Sequence, residues 1–251
     1  MTTRKKISAR FVALVAFTVT LAGCATPGPL HIYSLASTTA QEIRDDGPAQ
    51  ATNVPSFLAA GETLTGFTYD PFTDHFFLRL APGNRIRVVD RPARVVKREF
   101  TAESTPATGG GDLAVRQRDG HLFLTHPSEP VLVELNRFGK FVRTVALAGL
   151  NKAPAGVAYD AVRDRLLVLT GGPETRVIAF DLDGQVVATI ALERAVAAGA
   201  LGYDADQREI YAPLASANGI GVFGDDGRLL RTLAPVAAFL DVGTRSLLRM
   251  F

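Results

Sequence analysis

Gly156-Val-Ala-Tyr-Asp160-Ala-Val-Arg-Asp-Arg-Leu-Leu-Val-Leu169 is followed, 44 residues on, by Leu201-Gly-Tyr-Asp204-Ala-Asp-Gln-Arg-Glu-Ile-Tyr-Ala212. Both copies run from an apolar stretch through Tyr-Asp and a short polar turn into a second apolar run. A third copy is Gly66-Phe-Thr-Tyr-Asp70-Pro-Phe-Thr-Asp-His-Phe-Phe-Leu78, and a degenerate one is Asp112-Leu-Ala-Val-Arg116-Gln-Arg-Asp-Gly-His-Leu-Phe-Leu124. Self-similarity at this period marks stacked supersecondary units, and its length is that of a propeller blade.

Each copy continues in the same way. Apolar runs such as Leu166 to Leu169 lead into a second strand, Arg176 to Phe180, then a turn, then a third, Gln185 to Leu192, and each unit is read as a meander of four strands. The hairpins Asn136-Arg-Phe-Gly139, Asp181-Leu-Asp-Gly184 and Gly224-Asp-Asp-Gly227 put glycine where a tight turn needs a positive φ. The second-strand runs are apolar at successive positions, so both faces are expected to be buried between neighbouring sheets. No stretch shows a sustained helical period. The fold class expected is all-β: a β-propeller of about five four-stranded blades, one shared by the N- and C-terminal strands. Phe239 to Met250 repeat the first half of a unit, and His31-Ile-Tyr-Ser-Leu35 is read as a third strand. A sheet closed by both termini leaves no open edge.

The first residues have a different character. Arg4, Lys5, Lys6 and Arg10 precede an apolar run from Phe11 to Ala22, too short for a permanent span and of signal-peptide length. Leu21-Ala22-Gly23-Cys24 closes it and resembles the lipobox of bacterial lipoproteins. That resemblance implies a signal peptide over 1–23, diacylglyceryl attachment to Cys24, a tether over 24–30 and the propeller over 31–251. With Ala25 after the cysteine, the likeness implies sorting to the outer membrane, on its periplasmic side. Six residues, Ala25 to Leu30, reach about 20 Å when extended, so the domain would lie close to the bilayer. Cys24 is the sole cysteine, which excludes an internal disulfide.

Charge excludes one class of partner. The chain carries a formal +2, but without the four N-terminal bases, 23 basic residues face 25 acidic ones, and no nucleic-acid partner is expected.

Gly-x-x-Tyr-Asp with Arg-x-Leu-Leu-Val, followed by Phe180-Asp-Leu-Asp-Gly-Gln-Val-Val187, resembles the repeats of NHL-type and SdiA-regulated-like propellers over roughly residues 66–251. The resemblance implies the fold far more strongly than an activity. Gly219-Ile-Gly221-Val-Phe-Gly224 matches the dinucleotide-binding pattern, but it falls in a strand and its hairpin, with no helix start to hold a pyrophosphate. Asp70, Asp160, Asp204 and Asp241 end first strands and read as turn aspartates. Asp181, Asp183, Asp225 and Asp226 lack the longer oxygen array that calcium requires. His31, His75, His121 and His126 show no metal-ligand spacing. No catalytic residue, metal or cofactor is therefore assigned.

Function is expected at loops. The hairpins joining second to third strands and the blade-to-blade loops share one rim, where Asn84, His126, Glu129, Asn151, Lys152, Glu174 and Asn218 are polar candidates. Phe57, Phe67 and Phe138 are the aromatic ones for a sugar-binding surface. The expected role is a binding or scaffolding module with a protein partner in the envelope. The alternative is a metal-dependent lactonase- or phosphoesterase-like hydrolase, with Glu62 and Asp112 facing the central channel.

Overall fold

The computed structural model describes residues 30–36, 39–44, 47–52, 57–106, 111–170, 173–216, 219–233 and 239–244. Within 30–52 and 239–244, Ile32 and Tyr33 are the side chains described. The signal segment, Cys24, Asn218 and the side chain of Asp241 lie outside these residues.

The chain opens with three strands, β1 (Leu30–Ala36), β2 (Thr39–Arg44) and β3 (Gly47–Thr52). Four meanders follow. The first contains β4 (Thr63–Asp70), β5 (His75–Ala81), β6 (Arg85–Asp90) and β7 (Val95–Thr101). The second contains β8 (Leu113–Arg116), β9 (His121–Thr125), β10 (Val131–Leu135) and β11 (Phe141–Ala146). The third contains β12 (Pro154–Asp160), β13 (Arg165–Thr170), β14 (Glu174–Phe180) and β15 (Val186–Val196). The fourth contains β16 (Gly202–Asp204), β17 (Glu209–Pro213), β18 (Ile220–Gly224) and β19 (Leu229–Leu233). The last strand, β20 (Phe239–Thr244), returns to pair with β1, giving a sheet of order β20-β1-β2-β3. Among the described residues there are thus five four-stranded sheets, four of them built from consecutive strands, arranged as a β-propeller.

The shared sheet is assembled differently from the sequence expectation. His31 to Leu35 belong to a second strand, paired on one side with β20 and on the other with β2. The C-terminus supplies one described strand and the N-terminus three. Successive apolar residues explain the placement: Ile32 and Tyr33 point to opposite faces and both are buried, as a strand flanked on both sides and both faces requires.

Burial falls off radially. In β5, β9, β13 and β17 every residue after the first is buried except Ala81 at the end of β5, whereas β7 and β11 are largely exposed. The innermost strands touch in a closed circuit, β4 to β8, β12, β16, β20 and back to β4. The terminal sheet seats on its neighbour through Tyr33, whose ring stands edge-on to Tyr69 and Phe76, 4.8 Å from each.

Two devices recur between and within blades. All five sheets carry a register shift at one step of the third and fourth strands, at Glu42/Ile43, Val88/Val89, Glu134/Leu135, Ala179/Phe180 and Val222/Phe223. Such a bulge bends and twists the outer hairpin. The hairpin glycine then latches onto the preceding blade: the N–H groups of Glu103, Ala148 and Glu193 donate to the carbonyls of Gly139, Gly184 and Gly227. These are the three glycines expected from sequence to have positive φ, and their values are +83°, +83° and +81°.

Candidate functional site at the propeller rims

The Tyr-Asp letters of the repeat build one rim. Asp70, Asp160 and Asp204 each accept backbone N–H groups from the turn that follows, through Phe72, Val162 with Arg163, and Asp206 with Gln207. They are turn aspartates, and burial pushes Asp70 above the usual carboxylate range. The preceding tyrosines line the axis and donate outward: Tyr69 to Asp74 at 3.0 Å, Tyr159 to Asp164 at 2.6 Å, and Tyr203 to Asp225 at 2.9 Å. Desolvation, more than the neighbouring carboxylates, raises the pKa of all three phenols. Between them the axis holds a cavity of about 20 Å³, lined also by Thr68, Ala114, Val115, Gln117 and Ala158. That is room for about one water.

The two carboxylates expected to face this channel are engaged elsewhere. Glu62 precedes β4, and its side chain, 4% exposed, is clamped by Arg85 and Arg87 of β6. The hydrogen bond from Arg87, with help from the Ala59 N–H and Arg85, holds its pKa down at about 2 against the desolvation that opposes it. Asp112 is buried and accepts the Val157 N–H at 2.9 Å, tying the loop before β8 to the innermost strand of the next blade. Each carboxylate is committed to holding the fold, and among the described residues no three His, Cys, Asp or Glu side chains converge as metal ligands would.

The expected rim residues divide. Asn84 is buried: its Oδ1 accepts from Arg79 Nε at 3.1 Å, and its Nδ2 donates to the carbonyls of Ala102 and Thr105. Arg79, also buried, continues to the carbonyls of Gly111 and Thr125 in the next blade. Asn84 therefore joins two blades and presents nothing to solvent. His126 caps its own loop, its Nδ1 accepting from the Glu129 N–H, while the Glu129 carboxylate is exposed.

Asn151 and Glu174 come together, with Lys152, in a groove of about 340 Å³ over the third meander. Thr170 hydroxyl donates to Glu174 and fixes that carboxylate at the groove wall. Of the aromatic candidates, Phe57 and Phe67 are buried and Phe138 alone is exposed, at 57%. Phe138 lies on the opposite rim, in the β10–β11 turn, beside a second groove of about 360 Å³ that sequence reading did not anticipate.

Comparison with known proteins agrees with the fold. No family model matches the sequence, and no curated protein does. A chain of the nidogen/laminin complex is similar at a TM-score of 0.60 and 12% identity, covering 86% of this chain and 99% of that one. A protein of unknown function from Bacteroides caccae is similar at a TM-score of 0.55 and 11% identity, covering 85% and 98%. At such identities the likeness is one of fold alone, and the fold is the β-propeller.

Proposed function

We propose that this chain is a membrane-anchored propeller lipoprotein of the NHL-like kind, acting as a binding or scaffolding module in the bacterial cell envelope. The observation that carries the reading is the distribution of concave surface. Among the described residues the axial cavity is about 20 Å³, whereas two rim grooves are about 340 and 360 Å³. Ligand-sized space lies at the rims, where loops meet solvent. The channel hydrolase reading has less support, because Glu62 and Asp112 are held by arginines and by a backbone N–H. The lipobox letters at Cys24 support the anchor.

The test has two arms. In a bacterial host, labelled palmitate is expected on the full chain and to be lost in Cys24→Ser. A photo-crosslinking residue placed at Asn151 or Lys152 is expected to give a discrete adduct that is missing when it replaces the exposed Val162 of the opposite rim. Absence of label would overturn the anchor, and indistinguishable adducts at all three positions would overturn the rim assignment.

A further inference from the structure

The repeat places an arginine at one step of three outer strands. Arg98 stands opposite Val88, Arg143 opposite Glu134, and Arg231 opposite Val222, each beside the shared bulge. Arg143 is neutralised: its Nε donates to Glu134 at 2.7 Å, one Nη to Asp183 at 2.7 Å, and the other to the Leu182 carbonyl at 2.6 Å. Arg231 is neutralised too, by Glu209 at 2.7 and 2.9 Å.

Arg98 has none of these partners. Val88 stands where Arg143 has Glu134, Phe138 where the next hairpin has Asp183, and His75 where the last meander has Glu209. A second cation arrives instead. Arg137 comes in from the neighbouring blade's hairpin, and Arg98 and Arg137 lie 5.8 and 4.8 Å from the Phe138 ring. Arg98 also lies 5.4 Å from Phe100. Among the described residues, neither guanidinium meets a carboxylate. Burial, and then Arg137, push the Arg98 pKa down.

Both arginines line the groove of about 360 Å³ between the β4–β7 and β8–β11 sheets, with Phe77, Val88 and the 45%-exposed Phe72 among its apolar walls. Its other charged groups are occupied. Asp70 serves its turn and Asp119 serves Arg116, while Lys97 and Arg118 are paired with Asp90 and Asp164. A half-buried Arg98 and an exposed Arg137 sit on the same ring, with no carboxylate partner among the described residues, beside a space of ligand size. Planar guanidiniums take an oxyanion in paired, charge-assisted hydrogen bonds, and the rings beside them offer an apolar face.

We infer that this groove binds a small organic oxyanion, its phosphate or carboxylate held by Arg98 and Arg137 and its apolar part laid against Phe72, Phe138 and Val88. The site is on the rim opposite Asn151 and stands independently of the anchor and of any protein partner. Calorimetric titration of the full chain in a maltoside detergent, with phenyl phosphate, benzoate and inorganic phosphate, tests it. An aromatic anion saturates one site more tightly than inorganic phosphate, and the order of phenyl phosphate and benzoate identifies the oxyanion preferred. Arg98→Ala and Arg137→Ala each weaken binding about tenfold or more. Phe138→Asp restores at an exposed position the carboxylate that Asp183 provides next door, and it abolishes binding while the fold is kept. Arg228→Ala, an exposed cation of the fourth meander, changes nothing. Failure of all three probes to saturate, or equal binding by wild type and Phe138→Asp, would overturn the assignment.

Discussion

Replacing Gly184 by alanine separates the two reasons a glycine is needed in the hairpin latch. Gly184 has φ +83°, and an alanine there takes up the left-handed region at a cost of about 1–2 kcal/mol. The second reason is space. A Cβ on Gly184 would lie 2.0 Å from the Ala146 carbonyl oxygen and 3.0 Å from its carbon, which are backbone atoms of the preceding blade's outer strand. Relief requires the hairpin to move away, and that movement stretches the 2.9 Å bond from Ala148 N–H to the Gly184 carbonyl. Overpacking of this kind adds roughly 1–3 kcal/mol, so the combined loss is about 2–5 kcal/mol.

Gly149 is the matched control, because its φ is +76° and a Cβ there meets nothing within 4 Å. Gly149→Ala therefore carries the backbone cost alone. At about 2–4 °C per kcal/mol for a domain of this size, Gly184→Ala is expected to unfold on the order of 10 °C below wild type, and Gly149→Ala roughly 4 °C below it. Thermal unfolding followed by circular dichroism at one pH reads the difference. Equal midpoints for the two variants would refute the argument that the latch is set by contact between blades.

Two further outcomes follow from the geometry. Tyr33→Ala empties a ring packed between the terminal sheet and Phe67, Tyr69 and Phe76, and it is expected to cost about 3–5 kcal/mol; early proteolysis within residues 30–52 would show that ring closure has been loosened. Glu62, held at a pKa of about 2 by Arg87 and Arg85, contributes stability that is present above its unfolded pKa near 4.5 and is lost as pH falls from there towards 2. Denaturant titrations between pH 6 and 2 should show a shallower decline for Glu62→Gln than for wild type, and parallel declines would remove Glu62 from the account.

The blades were legible because their letters answer backbone requirements. Tyr-Asp ends an inner strand with a side chain that caps the next turn, and Asp or Asn two or three residues before glycine marks three of the outer hairpins. The shared sheet was misassigned because its N-terminal strands carry no Tyr-Asp. A usable signal was nevertheless present: Arg44-Asp-Asp-Gly47 repeats the letters of Gly224-Asp-Asp-Gly227, and Arg44 pairs with Gly47 as the end of an outer hairpin does. That identifies β2 and β3 as the outer pair and leaves His31 to Leu35 as the second strand. At the rims, Asn84 and Asn151 are alike as letters. What separates them is Arg79, whose buried Nε claims Asn84 and whose direction depends on the next blade.

The second groove was illegible for a related reason. What distinguishes Arg98 from Arg143 and Arg231 is the combination of Val88, His75 and Phe138, residues on two other strands and on another blade's hairpin. No window of sequence contains them together. In a repeated fold, the positions that recur from blade to blade are accounted for by closure: the bulge in all five sheets, and the turn aspartate and the latch glycine in three of them each. A position where one blade departs from the others is released from that demand, and its chemistry requires a separate cause. Arg98 could have been neutralised by the same carboxylates that its counterparts use, at no structural cost visible in those blades. Arg231 also faces a valine and the blade of Arg143 also has a histidine at the His75 position, yet each of those arginines keeps a carboxylate; Arg98 keeps none, and an external anion accounts for that difference.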